Sequence, residues 1–132
     1  MIEHLDRAEA RGFLAECKRV LRPGGILRLA VPDLRIAAAR YLEDNDGDFF
    51  LSYMQFDLDK PRGLAARIHR MITGGRGHHW MYDKRSLPAL VSGAGFTDIE
   101  LLNDGETRIP EPGELNLAER AGDNVLLEAR RP

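Results

Sequence analysis

Between Ala10 and Pro32 an amphipathic helix, its stop signal and an apolar strand follow one another directly, which leaves few folds open to the chain. Phe13, Leu14, Cys17, Val20 and Leu21 recur at helical spacing as one apolar stripe, with Arg11, Glu16, Lys18 and Arg19 off it. Pro23 cannot continue the helix, and Gly24-Gly25 permits the positive φ of a C-cap turn. The β-prone run Ile26, Leu27, Arg28, Leu29, Ala30, Val31 then reads as a strand buried on both faces. Helix and strand must share a core, which predicts an α/β domain.

Bulk properties fit one domain over residues 1–132: 43% hydrophobic content at that length can bury roughly two thirds of the unfolded surface. With 19 basic and 21 acidic residues the net charge is −2, so the overall charge balance gives no signal for nucleic acid or a membrane surface and partners must be argued locally. The single cysteine, Cys17, excludes an intramolecular disulfide and lies on the helix stripe, as a buried thiol in a reducing compartment would. Residues 1–6 hold no secretory apolar core and no run approaches the roughly 20 residues of a bilayer span, so a cytoplasmic location is expected.

Asp6 followed by Glu9 predicts a capped helix over Arg7–Leu21. Pro32-Asp33 caps a second helix to about Glu43, with Leu34, Ala37, Ala38, Tyr41 and Leu42 inward and Asn45-Asp46-Gly47 ending it. The aromatic segment from Phe49 to Leu58 reads as a short helix or a covering loop, either core or substrate wall. Pro61 opens a helix carrying Leu64, Ala65, Ile68, Met71 and Ile72 and stopping at Gly74-Gly75. Asp83 or Ser86 caps another, with Leu87, Leu90, Val91 and Ala94 inward. Strands follow at Thr97–Leu102 and Asn124–Ala129, separated by a polar loop, with Val125, Leu127 and Ala129 alternating against Leu126 and Glu128.

Arg19-Val20-Leu21-Arg22-Pro23-Gly24-Gly25 before an apolar strand resembles the segment between the fourth helix and fifth strand of class I S-adenosylmethionine-dependent methyltransferases. The resemblance extends back through Glu3-His4-Leu5, similar to the end of that family's fourth strand, and forward to Ser86-Leu87 and Gly93-Ala94-Gly95-Phe96. His79-Trp80-Met81-Tyr82-Asp83, with His78 before it, resembles a phrase of its small bacterial members. The fold this implies is the C-terminal half of a Rossmann-like methyltransferase: a short mixed sheet of about three strands with helices. The last strand would insert antiparallel between its predecessors, giving the order Leu29's strand, Leu127's strand, Ile99's strand.

The implied cofactor is S-adenosylmethionine, and the implied function methylation of a polar or anionic small molecule or glycan. The family holds its cofactor mainly by a glycine-rich turn after the first strand, and no such turn follows a strand in these residues. The chain alone is therefore expected to bind S-adenosylmethionine weakly or not at all. The alternative function is a non-catalytic interaction or oligomerisation module derived from a methyltransferase.

By resemblance Glu3 and His4 border the methionine end of the cofactor; read from position alone they are a frayed terminus. His79, Trp80 and Tyr82 line the substrate side, where His79 is a candidate base for the acceptor proton, or else Trp80 and Tyr82 anchor the loop on the sheet. Arg67, Arg70 and Arg76 belong to a stretch from Lys60 to Tyr82 without Asp or Glu, which with His78 and His79 suits an anionic substrate or is simply a solvated helix face. Adjacent His78 and His79 point to opposite faces of an extended chain, with no Cys, Asp or Glu at ligand spacing, so no metal is expected.

One partner is expected from the sheet itself. The run Ile26 to Val31, with only Arg28 interrupting it, makes an apolar edge that invites the same strand of a second copy, giving a homodimer. The alternative is that Met1 to Leu5 folds back over the edge.

Overall fold

A computed structural model of the chain describes residues 1–54, 77–118 and 122–132. Asp6 starts helix α1 (Arg7–Val20): its carboxylate accepts the Ala8 and Glu9 N–H groups at 2.7 and 2.8 Å, while the Glu9 carboxylate accepts the Asp6 N–H at 2.9 Å. This is the reciprocal cap that the sequence predicts. The bonds from the Glu9 and Ala8 amides hold the Asp6 carboxyl below its usual range. A depressed carboxyl stabilises the fold above its unfolded pKa, and that contribution is lost as pH falls through the lower folded value. Asp6→Ala should accordingly lower the thermal midpoint at neutral pH, and the difference from wild type should close in strong acid. A pH-independent difference would show that the cap's charge is irrelevant.

On α1, Ala10 and Leu14 are fully buried, Phe13, Cys17 and Leu21 pack partly on the core, and Val20 turns out to solvent at 61% exposure. The expected stripe is corrected at Val20, which ends the helix as the chain turns away. Burial pushes the Cys17 thiol up, as expected of an inert core thiol. Gly24, at φ +77°, makes the turn into strand β1 (Ile26–Pro32).

Strand β2 (Thr97–Leu102) and strand β3 (Asn124–Arg130) complete a sheet of order β1-β3-β2. Both neighbouring pairs are antiparallel, with Leu29 opposite Leu127 and Leu101 opposite Leu127. The order is the expected one. The expected mixed sheet is corrected: β1 and β2 run the same way, but β3 separates them, so both strand pairs of this sheet are antiparallel. The two-faced burial expected of β1 belongs instead to β3, where Val125 to Ala129 are all buried. On β1 only Leu27, Leu29 and Val31 are buried and Ala30 is exposed, because the helices pack on the first face while Arg28 and Ala30 on the other line a cavity.

Helix α2 (Leu34–Asp44) is capped by Asp33, whose carboxylate accepts the Arg35 N–H, and ends at Asn45 in the left-handed region, φ 53°. Its expected inner face is corrected at Tyr41 and Leu42, both exposed; Ala37 is its buried residue. The aromatic segment forms helix α3 (Gly47–Tyr53), whose Phe50 and Tyr53 join Ala37, Met54 and Met81 in a small second core. The helix expected after Pro61, with Arg67, Arg70 and Arg76, lies outside the described residues.

Helix α4 (Ser86–Gly93) begins where Asp83 accepts the Ser86 and Arg85 N–H groups, with Pro88 in its first turn. Leu87 and Val91 pack with Leu14, Phe96 and the buried face of the sheet. The Lys18 ammonium donates to the Gly95 carbonyl at 2.8 Å, fixing the turn after α4 on α1. On the opposite face of the sheet the loop after β2 covers Glu128. No helix among the described residues is long and apolar enough to cross a membrane.

Candidate functional site

Two segments more than seventy residues apart meet beside the C-terminal end of β1. The first is a single 3-10 turn, Ile2–His4, in which the His4 N–H bonds the Met1 carbonyl and the Leu5 N–H that of Ile2. Ile2 is buried in the main core, so the turn is tied down and the frayed-terminus reading of Glu3 and His4 is set aside. The second is 77–82. The Glu3 carbonyl accepts the N–H groups of both His79 and Trp80, at 2.8 and 3.1 Å. The Tyr82 carbonyl accepts the Leu34 N–H at 2.9 Å, and Asp33 and Tyr82 form a parallel bridge. The second segment is thereby held to β1 at one end and to Glu3 at the other.

Side chains then divide by burial. Tyr82 is buried on the core with its hydroxyl unpartnered, and burial pushes that hydroxyl up against the opposing influence of Arg7. This is the anchor of the two readings given to it. Trp80 is 38% exposed, with the Arg7 guanidinium 4.7 Å from its ring centroid, a cation-π contact that leaves ring surface open. His79 is exposed and close enough to Asp6 to help hold that carboxyl down.

His78 faces the other way. It is buried beside His4, ring centroids 4.9 Å apart, and burial foremost, with His4 second, pushes its pKa down. Glu3 is buried also. Burial pushes its carboxyl up, but the Met1 ammonium at 2.5 Å and a backbone hydrogen bond outweigh this and hold it below the usual range. His4 Nδ1 lies 3.1 Å from the Gly77 carbonyl and its Nε2 3.7 Å from Glu3 Oε1. Glu3, His4 and His78 thus form a compact group, and His79, Trp80 and Arg7 an open one beside it. Of the residues singled out in sequence, Glu3, His4, His78, His79, Trp80 and Tyr82 come together, while Arg67, Arg70 and Arg76 lie outside the described residues.

Arg7 was not singled out, and the signal that could have found it is the charge at the first turn of α1 next to an exposed Trp. No protein-family model matches the chain, and no curated protein matches it. The crystal structure of a possible exported protein from Bordetella parapertussis is similar over 99% of this chain at 16% identity, with a TM-score of 0.49. The chain spans 36% of that protein, and a likeness of this degree carries no argument about activity.

Proposed function

We propose that the chain is the acceptor-side part of an S-adenosylmethionine-dependent methyltransferase unit, acting on a polar or anionic small molecule or glycan. The observation that carries this reading is the double hydrogen bond from His79 and Trp80 to the Glu3 carbonyl. It joins the two segments that sequence resemblance assigns to the two sides of a methyl-transfer cleft. The sheet order β1-β3-β2, with the last strand inserted antiparallel, supports it as well.

In this reading Glu3 and His4 border the methionine end of the donor, Trp80 and Arg7 bind the acceptor, and His79 takes the acceptor proton. Methyl transfer needs the acceptor atom in line with the sulfonium methyl, so positioning by the Trp80 face supplies most of what this part contributes. Arg67, Arg70 and Arg76 would add charge for an anionic acceptor. A cytoplasmic setting goes with this reading, as does a single inert thiol.

The sequence places no glycine-rich turn after a strand, so calorimetry with S-adenosylmethionine should detect no micromolar binding. Nuclear magnetic resonance at millimolar donor should show small amide shifts confined to Glu3–Leu5 and His79–Tyr82. Shifts elsewhere, or none, would overturn the assignment, and micromolar affinity would overturn the division of labour. A second reading, an interaction module that pairs with its own copy, is favoured by the position of β1 at the edge of the sheet.

A further inference from the structure

Glu3, His4 and His78 offer one carboxylate oxygen and one ring nitrogen each, all within 4.8 Å of one another. We propose that these three side chains bind a first-row divalent transition-metal ion, of which Zn²⁺ is the best fit, independently of any methyl donor. The proposal stands on three features of the group.

The first is the tautomer of His4, assigned from its hydrogen bond. The Gly77 carbonyl can only accept, so the proton of a neutral His4 sits on Nδ1 and the lone pair on Nε2. That lone pair is 3.7 Å from Glu3 Oε1, itself only an acceptor when ionised. The lone pairs of the two groups converge there, as they would on a shared cation. A backbone carbonyl on the far nitrogen is also the usual outer support of a metal-bound histidine, fixing ring orientation and raising basicity.

The second is His78. At 6% exposure its Nδ1 is buried with no hydrogen-bond partner, while the ring bonds the Met54 backbone. A buried acceptor left unmatched is costly, and a neutral imidazole nitrogen in that state is a ready ligand. The third is geometry. Zinc bonds of about 2.0–2.1 Å place ligand atoms about 3.3 Å apart in a tetrahedron, close to the His4–Glu3 spacing. The widest gap in the group must close by about 1.5 Å to reach that figure. His4, with a side chain 38% exposed, has the freedom to swing in.

Donor type selects the metal. Two imidazoles with one carboxylate suit zinc and its neighbours and disfavour Mg²⁺ and Ca²⁺, which want oxygen throughout. The Met1 ammonium at Glu3 Oε2 neutralises part of the carboxylate's charge, and the proposed ion would share that carboxylate. Three protein ligands leave a fourth position for water or an oxygen ligand.

Zn²⁺ titrated into the full chain against a chromophoric chelator should reveal one site with a micromolar or lower Kd. His4→Gln and His78→Gln should each weaken it about tenfold or more, whereas His79→Gln, on the face toward Asp6, should leave it unchanged. Co²⁺ added to the wild-type chain should shift the ring resonances of His4 and His78 paramagnetically, which needs no variant to fold. Absence of a micromolar site, a site that survives both substitutions, or Co²⁺ shifts that spare those rings would overturn the proposal. No methyl donor enters any arm, so failure of the methyltransferase reading leaves this test intact.

Discussion

Arg28→Met should lower the unfolding free energy by about 3 kcal/mol, the low end of the cost of breaking a buried ion pair from one side. The partner left behind is Glu128, which is fully buried on the central strand. Its Oε1 receives Arg28 at 2.8 Å and the Thr107 hydroxyl at 2.6 Å, and its Oε2 receives the Arg108 N–H at 2.8 Å. The bonds to Thr107 and Arg108 survive the substitution, which is why the low end applies. Against a total stability of about 5–15 kcal/mol the loss is large, and urea unfolding will read it directly. The double variant Arg28→Met, Glu128→Leu should recover most of it, since an apolar pair needs no compensation.

The same carboxyl gives the change a pH signature. Burial pushes Glu128 up, but hydrogen bonds from Thr107, Arg108 and Arg28 together outweigh it and hold the group below the usual range. Its contribution is therefore present above the unfolded pKa and lost as pH falls through the folded one. Without Arg28 the burial effect gains weight, so acid unfolding of Arg28→Met should begin at higher pH than in wild type. Equal acid midpoints, or an Arg28→Met chain as stable as wild type, would refute the role given to this pair.

Sequence periodicity made the helices and strands legible because each carries its own punctuation: Asp6 with Glu9, Pro23-Gly24-Gly25, Asp33, Asn45 and Gly93-Ala94-Gly95 are local signals acting within a few residues. What periodicity could not show was depth. Leu126 and Glu128 alternate with Val125, Leu127 and Ala129 as an outer face should, yet that face too is buried, because Thr107 and Arg108 of the loop between β2 and β3 fold over it. A loop's cover over a sheet is a tertiary fact with no period in the sequence.

The site was legible residue by residue but not as an assembly. Resemblance marked Glu3-His4 and the His78–Tyr82 phrase separately, and opposite directions for His78 and His79 follow from extended backbone. That His78 turns back onto Glu3 and His4 depends on the two amides that dock on the Glu3 carbonyl. Spacing of 73 residues between His4 and Gly77 conceals a group of ligands that contiguous motifs would have announced.

Light scattering at micromolar concentration should report a mass of twice the 14.8 kDa chain, through pairing of β1 with β1 of a second copy. The register decides which groups are offered. The Asp33 N–H bonds the Asp123 carbonyl and the Leu34 N–H the Tyr82 carbonyl on the other side. Because pairing directions alternate along an antiparallel strand, Arg28 and Ala30 then point their N–H and C=O groups away from β3, along the outer edge. An apolar edge so directed pairs readily with itself about a two-fold axis. The competitor is the first turn of the chain: Met1 lines a cavity of about 440 Å³ with Arg28 and Ala30 on one face of β1, while Ile2 sits with Leu29 and Val31 in the core on the other. That segment rounds the edge, but its His4 and Leu5 amides are bonded within the 3-10 turn, so it does not extend the ladder as a strand would. Ala30→Pro removes one outward N–H and leaves the β3 ladder intact, as edge strands tolerate, and should halve the measured mass while the far-ultraviolet spectrum is retained. A monomer in the wild-type chain would assign the edge to Met1 and Ile2, and a dimer persisting in a folded Ala30→Pro chain would move the interface elsewhere.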